Sequence, residues 1–432
     1  MRFRNLNEVP RQQAAKSTEA DLLLPPRSVY PYLMTITPIT ESEALSAFCK
    51  RMSNADYVAV DTEFIRDKTY WSRLCLIQIG GPDEAAAIDV LAPGLDLSPV
   101  DELMANPDVL KVFHAGRQDI EIFYHRNGVI PAPLFDSQVA AMVCGFGDQV
   151  GYETLISKLV GIRPDKSSRF TDWAQRPLSQ KQLDYALADV IHLRPAYEKL
   201  SQRLQQSKRT PWLDEEMQIL TNPKTYEMDP SNAWKRLKSR NSDARALAIV
   251  QELAACRETQ AQHRDVPRNR ILRDEALLAV AAQAPETVEK LSRVRGFPQG
   301  MANGATGAMI LEAVQKAVAL PKEALPSTPA REKMPSNLGP IIDLLRVLLK
   351  HTSEKSGVAT KLIASADDLQ HIAASDDADV PALAGWRRDL FGAEALALKH
   401  GRVALTATGK HTKVIHLDQF APVATEESSV ED

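Results

Sequence analysis

Tyr57-Val58-Ala59-Val60-Asp61-Thr62-Glu63-Phe64 sets a short apolar, β-branched run directly before two acids spaced two apart. Such a run favours a buried strand. In extended chain, side chains at i and i+2 point to the same side, so Asp61 and Glu63 can face one point at the strand exit. Taken alone, acids there are ordinary turn or cap residues. Outward from them, Leu74 to Ile79 and Ala85 to Val90 read as strands, separated by the turn Gly80-Gly81-Pro82-Asp83. Lys111-Val112-Phe113-His114 reads as another strand, and a helix opens after Gly116. Upstream, Leu33 to Thr37 is β-rich, and Ala44, Leu45, Phe48 and Cys49 mark one side of an amphipathic helix. A further helix is expected near Val100 to Met104. Strands alternating with helices predict an α/β domain.

Beyond Leu204 the strand signals largely vanish. Helices are expected over Ala244 to Arg264, Asp274 to Ala284, Ala308 to Leu320, Ile341 to Leu349 and Ala393 to His400. The division this predicts is a loose polar leader (1–31), the α/β domain (32–207) and a helical domain (208–320). A Pro- and Lys-rich linker (321–340), a second helical module (341–415) and an acidic tail (416–432) follow.

The composition is that of a globular protein, with 44% hydrophobic and 25% charged residues. A formal net charge of −4 means that contact with a polyanion must come from local basic patches or bound cations. The four cysteines (Cys49, Cys75, Cys144, Cys256) form no Cys-x-x-Cys pair and have no zinc-ligand spacing. They read as reduced residues. No apolar run reaches the roughly 20 residues that span a bilayer, and the N-terminus has no signal-like core. No membrane association and a cytoplasmic location are expected.

Two more acidic positions matter. Asp119, in His114-Ala115-Gly116-Arg117-Gln118-Asp119, falls in the first turn of a helix, where a carboxylate also suits the helix dipole. Tyr185 and Asp189, in Gln182-Leu183-Asp184-Tyr185-Ala186-Leu187-Ala188-Asp189-Val190, lie four apart on one helical face. Each has a sufficient bland explanation by itself.

Their order does not. Asp-x-Glu after a first strand, an Asp opening a later helix and Tyr-x-x-x-Asp on a final helix resemble the DEDD exonuclease superfamily, in its tyrosine-bearing branch. Leu74-Cys75-Leu76-Ile77-Gln78-Ile79, Phe135-Asp136-Ser137-Gln138, Gly151-Tyr152-Glu153-Thr154-Leu155 and the Ser179 to Val190 segment narrow the resemblance to the ribonuclease D family, over about residues 35–205. Arg268 to Leu278 followed by Val294-Arg295-Gly296-Phe297 is similar to the helical HRDC module. Gly385-Trp386-Arg387-Arg388-Asp389-Leu390 resembles a second one.

The resemblance implies a ribonuclease H-like 3′→5′ exonuclease domain, a mixed sheet with helices, followed by two all-α HRDC-like modules. It implies that Asp61, Glu63, Asp119 and Asp189 bind two divalent ions, Mg²⁺ or Mn²⁺, the hard cations that suit carboxylate oxygens. Asp61 would bridge the ions, Glu63 and Asp189 would complete the one holding the attacking water, and Asp119 would support the second through water. Tyr185 would position the water, since a phenol of pKa about 10 is a poor base. Phe64 and His114 are candidates for gripping the terminal nucleotide, and each could equally be a structural residue.

Lys235, Arg236, Lys238, Arg240 and Arg245 form one basic cluster, and Arg264, Arg268, Arg270 and Arg273 another. Interspersed acids make a solvated mixed surface the plain explanation. In the family context Arg268 and Arg270 become candidate phosphate contacts. The implied activity is trimming of RNA 3′ ends, including tRNA precursors, by a monomer. A 3′→5′ DNA exonuclease and a non-catalytic RNA-binding scaffold are the alternatives.

Overall fold

A computed structural model describes residues 33–34, 37–165, 167–237, 243–326, 335 and 337–417. The expected leader, residues 327–334 and 336 of the linker, the acidic tail from 418 onward, and Lys238 and Arg240 of the first basic cluster lie outside the described residues.

Among the described residues six strands form one mixed sheet: β1 (Leu33–Met34), β2 (Tyr57–Ile65), β3 (Arg73–Gly80), β4 (Glu84–Ile88), β5 (Leu110–Phe113) and β6 (Leu134–Asp136), in the order β1-β4-β3-β2-β5-β6. The β2–β3 and β3–β4 pairs are antiparallel, and β1–β4, β2–β5 and β5–β6 are parallel. A tight turn at 81–83 joins β3 to β4, and a seven-residue loop, 66–72, joins β2 to β3. Helices α1 (Ser42–Met52), α2 (Ser98–Ala105), α3 (Arg117–Asn127), α4 (Ser137–Val143), α5 (Tyr152–Val160) and α6 (Gln180–Gln206) accompany the sheet. Val58, Ala59, Val60, Cys75, Leu76, Ile77, Ile79 and Val112 are all but inaccessible, so the central strands have their apolar side chains in the core. Val190 of α6 sits 3.2 Å from where a Cβ on Gly80 would lie, so glycine there allows α6 its close approach to β3.

Next come α7 (Thr210–Leu220) and a helical unit of α8 (Ala244–His263), α9 (Arg268–Ile271), α10 (Asp274–Gln283), α11 (Val288–Ser292) and α12 (Ala305–Val318). Its apolar core is separate and includes Ile249, Leu253, Leu277, Val280, Leu291 and Val314. The last region holds α13 (Gly339–Ser356), α14 (Thr360–Ile363), α15 (Ala366–Ala374) and α16 (Gly385–Arg387), which runs through a π-turn (Arg388–Gly392) into α17 (Ala393–Lys399).

Two findings were not foreseen. The last module is not purely helical, because β7 (Val403–Thr408) and β8 (His411–His416) close an antiparallel hairpin. Its Thr-Gly-Lys-His turn uses Gly409 at a φ of 63°. The same module also shares the core of the α/β domain: Leu345, Leu348, Ile363 and Trp386 belong to one apolar cluster with the sheet. Trp386 stacks on Trp212 at 4.7 Å between ring centroids, and Arg387 pairs with the buried Glu216 at 2.5 Å.

Candidate active site

β2 does not end at Asp61, as its sequence suggests, but continues to Ile65, paired with β3 throughout. Its pairing with β5 stops at Ala59. Past that point one edge of β2 is open, and there Asp61 and Glu63 stand on the same side. A register shift between Glu63 and Phe64 bends the strand as it leaves. Thr62 points the other way, is buried, and donates its hydroxyl proton to the Asp119 carboxylate.

Asp119 stands in the first turn of α3, as expected. The entry to α3 is fixed by Asp136, whose carboxylate accepts from the backbone N–H of Gly116 at 2.8 Å and of Ala115 at 3.2 Å. One of the same oxygens caps α4 through Gln138 N–H at 2.8 Å. Ala115 adopts a φ of 55°, and a Cβ on Gly116 would lie 2.5 Å from Phe113. Both features mark a tight corner, in which position 116 has no room for a side chain unless Phe113 shifts.

Helix α6 opens with a reciprocal capping box between Ser179 and Gln182. One turn apart on it, the Tyr185 hydroxyl hydrogen-bonds the Asp189 carboxylate. Carboxylate oxygens of Asp61, Glu63 and Asp189 all lie within 4.8 Å of one another. Asp119 is outside this trio but close enough that its charge acts on both Asp61 and Glu63.

Crowded, buried acids resist ionisation. Burial, then the charges of Asp119, Asp189 and Glu63, push Asp61 well above the usual carboxylate range. Burial and the Asp189 and Asp119 charges raise Glu63 to about 9, against some relief from Arg169. Burial raises Asp189 to about 7, opposed by its Tyr185 hydrogen bond and by Arg169. Asp119 rises to about 7 through burial, with the Thr62 hydrogen bond opposing. Burial and nearby carboxylates also raise Tyr185, so it is a neutral phenol. A set of hard oxygen donors with too little positive charge around it fits divalent cations, which would supply the missing charge.

Asp61, Glu63, Tyr185 and Asp189 line a cleft of about 1240 Å³, while Asp119 lies buried behind its wall. Phe64 and His114 line the cleft too. Burial lowers the His114 pKa, with Asp136 opposing, and its Nδ1 lies 2.9 Å from Ser137 Oγ. Arg268 and Arg270 are not brought to the cleft. Arg268 is bound to Glu258 at 2.5 Å and lies over the Tyr70 ring, while Arg270 is exposed on α9. Arg245 donates to the carbonyls of Ala317, Val318 and Leu320, closing the end of α12. Basic residues in a row on the sequence had looked alike, and their partners on other elements tell them apart. Sequence reading missed Arg169, Phe170 and Trp173, which line the cleft from an irregular segment with no periodic pattern. It also gave no role to Tyr152, whose hydroxyl donates to the Asp189 carbonyl at 2.6 Å.

Residues 36–205 match the family model described as 3′-5′ exonuclease, and 246–314 match the HRDC domain. The mixed sheet and its cluster of carboxylates thus define a 3′→5′ exonuclease. Ribonuclease D of Granulibacter bethesdensis is 51% identical over 380 residues, 88% of this chain and 96% of that one. Ribonuclease D of Jannaschia sp. is also 51% identical, over 88% of this chain and 99% of that one. The crystal structure of Escherichia coli RNase D, an exoribonuclease involved in structured RNA processing, superposes with a TM-score of 0.75 at 30% identity, covering 86% of this chain and 98% of that one. The chain belongs to the ribonuclease D family of 3′→5′ exoribonucleases.

Proposed function

We propose that Asp61, Glu63, Asp119 and Asp189 hold two divalent ions, Mg²⁺ or Mn²⁺, and that Tyr185 is the fifth catalytic residue. The observation carrying this reading is the mutual approach of the Asp61, Glu63 and Asp189 oxygens to within 4.8 Å inside a cleft. The bound ions would supply Lewis acidity towards the phosphate and an acidified water. Asp61 and Glu63, fixed on one strand, present oxygens from a rigid base. Asp189 approaches from α6, and Asp119, held by Thr62, completes the set from α3. The Tyr185 hydroxyl, anchored on Asp189, orients the attacking water and takes no proton, because its pKa is raised. Water oxygen attacks phosphorus, the bond from phosphorus to the 3′ oxygen breaks, and that oxygen is protonated. A nucleoside 5′-monophosphate leaves and the shortened chain keeps a 3′ hydroxyl.

The substrate is structured RNA, tRNA precursors among it, as suggested by the structured-RNA processing of the Escherichia coli relative. Phe64 and His114 contact the terminal nucleotide from the cleft wall. The enzyme works as a cytoplasmic monomer; among the described residues no helix is long and apolar enough to cross a membrane. Degradation of 5′-labelled tRNA precursors and matched DNA in Mg²⁺ or Mn²⁺ tests this, with preference for RNA expected. Equal rates on DNA would contradict it.

A further inference from the structure

The loop between β2 and β3 walls the cleft with Arg66, Asp67, Lys68 and Thr69, joined by Arg73 at the start of β3. Such a loop would ordinarily be free to move. Here its centre is clasped by the helical unit. Tyr70 is only 3% exposed and packs with Ala261 and Ile271 of that unit. Its hydroxyl donates to Glu258, itself 1% exposed, and accepts from Arg268 at 2.8 Å and Gln262 at 3.2 Å. Arg268 holds both Glu258 oxygens, at 2.5 and 2.6 Å, and its guanidinium lies 4.7 Å above the Tyr70 ring. One oxygen of Asp265 accepts from the backbone N–H groups of Tyr70 and Trp71, at 3.0 and 2.9 Å. On the other side Arg66 donates to the Tyr70 carbonyl at 3.2 Å and pairs with Glu121 of α3 at 3.1 Å. Glu121 is two residues from Asp119.

We infer that the helical unit acts on the reaction by bracing this cleft wall, and that Tyr70, Glu258, Arg268 and Asp265 are positioning residues. A polar network built around the buried Glu258 carboxylate resists displacement because opening it would strand that charge. The brace therefore sets where the RNA backbone lies relative to the carboxylates, and Arg268 is spent on the wall instead of on RNA. The inference rests on the metal-dependent cleft proposed above, which chelator-sensitive turnover of the unaltered enzyme verifies separately.

The test uses full-length Tyr70→Phe and Asp265→Gly enzymes. Asp265 is exposed at a φ of 46°, where glycine is unstrained, so this second variant folds even if the first does not. Steady-state kinetics on a short single-stranded oligoribonucleotide, well below Tm, is combined with amide exchange of 66–73. Faster exchange and a fall in kcat of about tenfold or more at saturating RNA are expected, since small misplacements near the chemistry cost this much. A kcat within about twofold of the unaltered enzyme in a folded variant, with or without a raised KM, overturns the inference, as does unchanged exchange in the loop.

Discussion

The Tyr152 hydroxyl ties α5 to the Asp189 main-chain carbonyl through a 2.6 Å hydrogen bond, on the helix that also carries Tyr185. The Tyr152 ring meets His114 edge-on at 5.5 Å, so one side chain touches two walls of the cleft. Tyr152→Phe keeps the ring and removes the tie. A loss of about 1 kcal/mol in stability, the usual net worth of one hydrogen bond, is expected by urea denaturation, together with a several-fold lower kcat.

Tyr185→Phe separates water orientation from metal binding. Loss of a group that only orients the reacting water can cost on the order of 10²-fold in rate. We expect a fall of that order, with Mn²⁺ affinity by calorimetry unchanged. Weakened Mn²⁺ binding would instead make the phenol part of the ion site.

The raised carboxylates predict how the metal-free protein responds to pH. Glu63 at about 9, and Asp119 and Asp189 at about 7, hold protons in the folded state at pH values where the unfolded chain has lost them. Their contribution to stability is full below about pH 4 and is lost as pH rises through about 7 and then about 9. Metal-free Tm should therefore fall from pH 6 to pH 9 in these groups' share. Added Mg²⁺ or Mn²⁺ should raise Tm more at pH 9 than at pH 6 and release protons, measured by scanning fluorimetry and by calorimetry in buffers of different ionisation enthalpy.

Thr62→Val tests the support of Asp119. The hydroxyl opposes the rise of the Asp119 pKa, so its removal raises that pKa further. The acid limb of the kcat profile should move to higher pH, and stability above pH 8 should drop by about 1–3 kcal/mol for a buried group left without its donor.

Local pattern made much of this legible. Alternating strands and helices gave the α/β domain, and the spacing of Tyr185 and Asp189 placed them on one helical face. Asp119 was found in the first turn of its helix because the turn at Gly116 marks where the strand stops. Less visible was the end of the β2–β5 pairing at Ala59, which opens the site, since register depends on a partner distant in sequence. The fates of Arg245 and Arg268 were hidden for the same reason: their carbonyl and carboxylate partners lie on other elements. The hairpin at 403–416 pairs short apolar runs, Val414-Ile415 against Ala404-Leu405, that lack strict alternation and follow a helix, so it was missed.

Metal-stripped protein acting on a 5′-labelled single-stranded RNA with a free 3′ hydroxyl tests the central claim most directly. No cleavage is expected in chelator, a ladder shortening one nucleotide at a time from the 3′ end on adding Mg²⁺ or Mn²⁺, and none from Asp61→Ala under the same conditions. Undiminished turnover by Asp61→Ala, or by the stripped enzyme in chelator, would contradict it.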